Sequence, residues 1–184
     1  FAIHIQVARL QRRPRRIEFR EPVAAFPPLA ALAEQGDAVF RGEVAGHLEV
    51  SLVDGVVRLE GEADAVAGMI CSRCLEPVEE HVKVALSMCY AEFDPLAAAG
   101  DEEELELTLK DLDMIPFHGD EIDPAPGIAQ ELIMGLPQSV LCRDDCAGLC
   151  PVCGIDLNKH KCRCRPPVFH EGLARLKDFK VKPD

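Results

Sequence analysis

The chain has 184 residues, of which 48% are hydrophobic and 28% are charged. These proportions are typical of a globular protein, and the length is sufficient to bury a core without disulfide staples. No apolar run approaches the roughly 18–20 residues of a membrane-spanning helix, so we expect no membrane partner. The start shows no signal-peptide pattern. Because the first residue is Phe1 and not Met, the sequence is also compatible with a targeting segment that has been removed.

The net charge of −12 at pH 7 is distributed unevenly along the chain. Residues 1–20 carry six arginines against one acidic residue, and residues 142–184 carry nine basic against six acidic residues. The middle, 21–141, carries five basic against 25 acidic residues. An acidic body repels nucleic acid and attracts basic proteins, whereas a basic end does the reverse locally.

Alternating apolar residues predict antiparallel β-strands through the first two thirds of the chain. The alternating segments are 3–7, 17–19, 40–52, 57–59, 82–90 and 105–109. Val53-Asp54-Gly55 marks a tight hairpin turn. A second hairpin would carry CSRC, residues 71–74, at its tip, and the acidic stretch 94–104 predicts an exposed loop.

One helix is predicted near 124–136, because Asp123 can cap it, Pro124 suits its first turn and Pro137 ends it. A short tail helix is plausible over 169–179, where apolar residues share one side. We therefore expect an α+β fold: mainly an antiparallel β-sheet or partial barrel, one or two short helices, and a C-terminal Cys-rich zinc-binding segment. The expected domains are a β-rich domain over 1–137 and a zinc-knuckle segment with its tail helix over 138–184.

Nine cysteines are present, and eight of them lie in two short stretches. The odd number and the chain length favour a metal in a reducing compartment over a secreted disulfide scaffold. CPVCG, residues 150–154, has the spacing of a zinc knuckle, and Cys162 and Cys164 supply a second pair of thiolates. Four thiolates leave no open position for water, so such a zinc site would be structural.

A second zinc site would join Cys71 and Cys74 to Cys142 and Cys146. Two alternatives stay open: Cys142 or Cys146 belongs to the first site, or His160 replaces one of its cysteines. Cys89 is left over, as a thiol on the wet face of its strand. CSRC lies between strands and not at a helix N-terminus, which disfavours redox catalysis, and the sequence contains no recognisable catalytic motif.

The order of these motifs resembles the YceD family of large-subunit ribosomal RNA accumulation proteins. The resemblance covers about residues 38–180 and is most specific over 141–164. The motifs that carry it are CSRC at 71–74, EIDPAPGIAQELIMGLP at 121–137, LCRDDCAGLCPVCGIDLN at 141–158, CRC at 162–164 and FHEGLARLK at 169–177.

The resemblance implies a role in accumulation or processing of 23S ribosomal RNA, with no enzymatic activity and no catalytic residues to carry over. It implies a bacterial cytoplasmic location, or the plastid stroma if a targeting segment has been removed. Some members keep only the CxRC pair, so the cysteine-rich tail is not the whole function. RPPVF at 165–169 also departs from the family's usual approach to the final helix.

Two functional hypotheses follow. In the first, a non-catalytic large-subunit assembly factor binds 23S rRNA or its precursor, but not DNA, through phosphate contacts of the basic tail. The basic residues expected to make these contacts are Arg143, Lys159, Lys161, Arg163, Arg165, Arg175 and Lys177. In the second, the acidic surface binds a basic ribosomal protein, as an adaptor or chaperone that never touches RNA. A thiol-disulfide oxidoreductase is a third and weaker alternative.

Overall fold

The computed structural model describes residues 3–10, 14–36, 38–92 and 114–165. The predicted loop at 94–104, strand at 105–109 and tail helix at 169–179 lie outside these residues. The chain forms two compact units. One comprises Phe1–Met69 with Glu79–Gln138, and the other joins Ile70–Val78 to the chain from Ser139 onward. None of the helices in the described residues is long and apolar enough to cross a bilayer.

The first unit is built on an open five-stranded sheet with the order β2-β3-β4-β5-β6. A separate pair is formed by β1 (Ile5–Gln6) and β7 (Glu121–Ile122), which run antiparallel. The five sheet strands are β2 (Arg15–Pro22), β3 (Val39–Val53), β4 (Val56–Ile70), β5 (Pro77–Glu92) and β6 (Met114–Phe117). Because β6 pairs parallel to β5, the sheet is mixed, and it does not close into a barrel within the described residues.

The alternation in β3 is confirmed by burial. Phe40, Val44, Leu48 and Val50 are each at most 5% exposed and face the core. The predicted turn is also confirmed, because Val53 pairs with Val56 across Asp54 and Gly55. Both turn residues have positive φ, at 51° and 82°, which is the type I′ geometry that matches the twist of the flanking strands.

Two segments differ from the prediction. The alternation at residues 3–7 yields only the short β1, and Val7–Arg9 continue as a 3-10 turn. An unpredicted helix, α1 (Pro27–Gln35), follows β2. Its signal was a proline pair at the start and Gly36 at the end, where φ is 83°, and it is held by burial of Leu29, which is 1% exposed.

The predicted second helix, α2, spans Ala125–Met134. Pro124 is its N-cap residue, and Asp123 lies one residue before it, where its Oδ1 accepts a hydrogen bond of 2.9 Å from the backbone N–H of Ala125. The helix approaches β5 so closely that a Cβ on Gly127 would lie 2.4 Å from Met88 Sδ. It packs its buried face into the main core, and the chain beyond it enters the cysteine-rich second unit.

Candidate metal centre

CSRC forms the connection between β4 and β5, which are neighbours in the sheet. Six residues are too few for a parallel crossover, so the two strands form a hairpin. The Cys71 N–H donates to the Glu76 carbonyl at 2.8 Å, and the Leu75 N–H donates to the Cys71 carbonyl at 3.0 Å. Leu75 has a positive φ of 61°.

CPVC forms the same turn in the tail. The Cys150 N–H donates to the Ile155 carbonyl at 2.8 Å, and the Gly154 N–H donates to the Cys150 carbonyl at 2.8 Å. Gly154 occupies the positive-φ position, at 73°. Two CxxC segments that are 79 residues apart in the chain have therefore folded into equivalent knuckles.

Each knuckle meets a second pair of cysteines. Cys71, Cys74, Cys142 and Cys146, here called the hairpin cluster, have sulfurs within 4.8 Å of one another. The Sγ atoms of Cys71 and Cys146 are 3.8 Å apart, and those of Cys74 and Cys142 are 3.5 Å apart.

The tail cluster is formed by Cys150, Cys153, Cys162 and Cys164, again with all sulfurs within 4.8 Å. The Cys162 Sγ lies 3.7 Å from Cys153 Sγ and 3.3 Å from Cys150 Sγ. The structure thus places Cys142 and Cys146 with the hairpin pair. His160 is exposed and belongs to neither cluster, and Cys89 lies half-buried in β5.

The sulfur spacings suit a tetrahedral ion. A disulfide requires an S–S distance of about 2.05 Å, and all nine cysteines are free thiols. Four thiolates at about 2.3 Å from a central zinc would lie about 3.8 Å apart, from tetrahedral geometry. Each cluster could therefore hold a metal ion, and zinc is compatible with both.

The knuckle backbone stabilises negative charge on its first cysteine. Backbone N–H groups of Cys74 and Arg73 lower the pKa of Cys71 to about 6, and those of Cys153 and Val152 lower the pKa of Cys150 to about 6.

Two thiols in each cluster have a pKa that shifts in the opposite direction, and the shift is larger for Cys142 and for Cys164. The hydrogen bond with Cys74 raises the pKa of Cys142 to about 12, and that with Cys162 raises the pKa of Cys164 to about 12. Without a cation, neighbouring thiolates repel each other and share protons. A divalent ion would offset the repulsion between the thiolates, so that the sulfurs bind the metal and release their protons.

Backbone and side-chain contacts join the two knuckles within the second unit. Arg73 donates from Nη1 to the Cys146 carbonyl at 2.9 Å, and its own carbonyl accepts from the Leu149 N–H at 3.0 Å. Sequence reasoning did not identify Arg73 as a structural residue, because its partners lie more than 70 residues away.

The described basic residues that were predicted to bind RNA fall into two groups. Arg143 donates a hydrogen bond to Asn158 Oδ1 at 2.7 Å and forms an ion pair with Asp145 at 3.3 Å. Lys159 forms ion pairs with Glu76 and Asp156. Lys161, Arg163 and Arg165 are exposed and make no hydrogen bond or ion pair within the described part of the chain. Arg175 and Lys177 lie outside the described residues.

Comparison with known proteins matches a region of the chain that contains both cysteine clusters. The family model described as "Large ribosomal RNA subunit accumulation protein YceD" matches residues 59–180. An uncharacterised protein of Mycobacterium bovis is 31% identical over 154 residues, which cover 83% of this chain and 70% of that protein. The maize protein named "Large ribosomal RNA subunit accumulation protein YCED homolog 1, chloroplastic" is 27% identical over 159 residues, covering 74% of this chain and 53% of that protein. No solved structure matches the chain.

Proposed function

The chain belongs to the YceD family, and from that premise we propose that it is a non-catalytic factor that supports 23S rRNA accumulation or processing during large-subunit assembly. The family is named for the accumulation of an RNA and not for a reaction. The maize relative's name supports the same ribosome-related role and, for that relative, a chloroplast location. A bacterial member would act in the cytoplasm.

The two cysteine clusters are proposed to be structural zinc sites. The supporting observation is that each knuckle presents its sulfurs to a second pair of cysteines, so that all four tetrahedral positions are filled by protein. A catalytic zinc keeps one position open for water. Cys71 is 0% and Cys74 6% exposed, which disfavours thiol-disulfide exchange because an attacking thiol must reach the disulfide sulfur.

Direct RNA contact is proposed through Lys161, Arg163 and Arg165. The net charge of the second unit does not favour RNA binding. Its described part has six basic and four acidic residues, and this small positive excess is outweighed because each loaded four-thiolate site adds two negative charges. The contact therefore depends on these three cations. They are exposed and have no partner within the described residues, unlike Arg143 and Lys159, which neutralise neighbouring acids.

Ultraviolet crosslinking of the tagged protein in its own host, with sequencing of the attached RNA, tests this proposal. We expect discrete sites on 23S rRNA or its precursor, which are lost when Lys161, Arg163 and Arg165 are all changed to alanine. The matched control changes Arg9, Arg15 and Arg58 to alanine, because these arginines are also exposed and make no ion pair within the described residues. It removes the same charge from the first unit and should keep the crosslinks.

Metal content measured by mass spectrometry on each variant shows whether the tail remains loaded. Crosslinks that survive in the triple tail variant, or disappear equally in the control, would contradict contact through these three residues. An absence of RNA above background in the unmodified protein would overturn direct binding altogether. It would favour the second hypothesis, an adaptor for a basic ribosomal protein.

A further inference from the structure

Asn158 links the two cysteine clusters. It lies in the loop between Cys153 and Cys162, the two arms of the tail cluster. Its side chain nevertheless contacts the hairpin cluster, because Nδ2 donates to Cys146 Sγ at 3.4 Å. A loop that belongs to one site thus supplies a hydrogen bond to a sulfur of the other.

The partners of the Asn158 amide fix its orientation. Oδ1 accepts from the Ala147 N–H at 2.8 Å and from Arg143 Nη2 at 2.7 Å, and neither of these partners can accept. Nδ2 donates to Asp156 Oδ1 at 2.8 Å as well as to Cys146 Sγ. All four hydrogen-bonding positions of the amide are therefore used.

The loop that carries Asn158 is held on both sides. Asp156 Oδ1 also accepts from the Asn158 N–H at 2.9 Å, and the Leu157 N–H donates to the Gly148 carbonyl at 2.9 Å. Lys159 bridges Asp156 to Glu76, which lies in the hairpin knuckle. Cys153 and Cys162 close the loop, so a metal ion in the tail cluster would fix its ends.

We propose that Asn158 couples metal binding at the two clusters, so that they load cooperatively. This inference rests on the proposed function, since it requires that both clusters bind metal. Loading of the tail cluster restricts the loop and holds the amide N–H against the Cys146 thiolate, which stabilises that ligand in its charged form. By thermodynamic linkage, loading of the hairpin cluster favours the tail cluster by the same factor.

The expected size of the coupling is taken from the effect of similar hydrogen bonds on metal affinity in other metal-binding proteins. Loss of an outer partner of a metal ligand typically lowers metal affinity by about 10–100-fold. We therefore expect the hairpin cluster to bind metal about 10–100-fold more weakly when the tail cluster is disabled. If Asn158 carries the coupling, disabling the tail cluster in the Asn158→Ala protein should lower the metal affinity of the hairpin cluster by less than about threefold.

A double-mutant cycle on the full chain measures this coupling. The metal-stripped protein is titrated with Co²⁺ against a competing chelator. Occupancy of the hairpin cluster is read from protection of Cys71 and Cys74 against alkylation. Four proteins are compared: the unmodified chain, Cys153→Ser with Cys162→Ser, Asn158→Ala, and all three changes together.

Two further variants keep the test decisive if Asn158→Ala disturbs the loop. Asn158→Asp retains the shape and the acceptor oxygen for Ala147 and Arg143, but replaces the N–H donor to Cys146 with a carboxylate, and should weaken the hairpin cluster. His160→Ala changes an exposed side chain in the same loop and should leave the affinity unchanged.

An equal loss of affinity on disabling the tail cluster, whether residue 158 is asparagine or alanine, would overturn the role of Asn158. Two sites that bind Co²⁺ independently in the unmodified chain would overturn the coupling while leaving the metal sites intact. Failure of the unmodified chain to bind Co²⁺ at either cluster would instead overturn the metal sites themselves, and the coupling with them.

Discussion

Leu75 occupies the position in the hairpin knuckle that Gly154 occupies in the tail knuckle. Its φ of 61° is in the left-handed region, which costs a side-chain-bearing residue about 1–2 kcal/mol. Leu75 is 63% exposed, so truncation loses little packing. We predict that Leu75→Gly stabilises the second unit by roughly 0.5–1 kcal/mol, after allowing for the greater freedom of glycine in the unfolded chain.

The stability is measured by urea titration of the Co²⁺-loaded protein, using the thiolate-to-cobalt absorbance as the signal for the second unit. Gly154→Leu is the reciprocal control: its φ is 73° and a Cβ there meets nothing within 4 Å, so only backbone strain opposes the change. It should destabilise by about 1 kcal/mol. Destabilisation by Leu75→Gly would mean that the leucine makes a contact that outweighs its strain.

At the scale of the element, β4 depends on a glycine where it meets β3. A Cβ on Gly61 would lie 2.0 Å from the His47 carbonyl oxygen, which is backbone and cannot move aside cheaply. We predict that Gly61→Ala destabilises the protein by roughly 1–3 kcal/mol through overpacking, measured by urea unfolding with far-ultraviolet circular dichroism. The same strand carries the hairpin knuckle at its end.

Gly68→Ala is the matched control in β4. A Cβ there would come no closer than 3.3 Å, and only to the flexible Arg41 side chain. The change should be within about 0.5 kcal/mol of neutral. If both alanine variants behave alike, the close approach of β3 to Gly61 does not constrain the strand pair.

At the scale of the whole molecule, the two units differ in what holds them together. The first has a core drawn from its strands and both helices. The described buried apolar residues of the second are Cys71, Cys74, Cys146, Cys150 and Val140, with Val78, Leu141 and Leu149 half-buried beside the first three. We expect so small an apolar cluster, taken over the described residues, to need a metal or another staple to hold a fold.

We predict that a strong zinc chelator unfolds the second unit and leaves the first intact. Trypsin should then cleave at Lys159 and Lys161, and the eight clustered cysteines should react with iodoacetamide within minutes. The β signal in circular dichroism should persist, because the first unit keeps its own core. A single cooperative loss of the whole β signal on chelation would contradict this independence, and unchanged alkylation rates would contradict metal in the clusters.

Prediction from the sequence was most accurate where one physical signal was strong and local. The period-two pattern of β3 and the Asp54-Gly55 turn were visible because half-buried strands and type I′ turns restrict residue type at adjacent positions. Helix α1 was missed because nine residues with a proline pair, alanines and one fully buried leucine carry little periodicity. Its formation depends on the core against which Leu29 packs.

The sequence by itself determined the family, the hairpin carrying CSRC, helix α2 and the two cysteine-rich stretches, because each depends on residues that are close together in the chain. Only the tertiary structure decided that Cys142 and Cys146 join the hairpin pair and that the Asn158 side chain reaches Cys146. It also decided which basic residues are paired. Arg143 and Lys159 form ion pairs, whereas Lys161, Arg163 and Arg165 have no partner within the described residues. The physical reason is that these depend on contacts between segments up to 83 residues apart. No local pattern of residue types specifies which of several chemically equivalent cysteines or cations will meet.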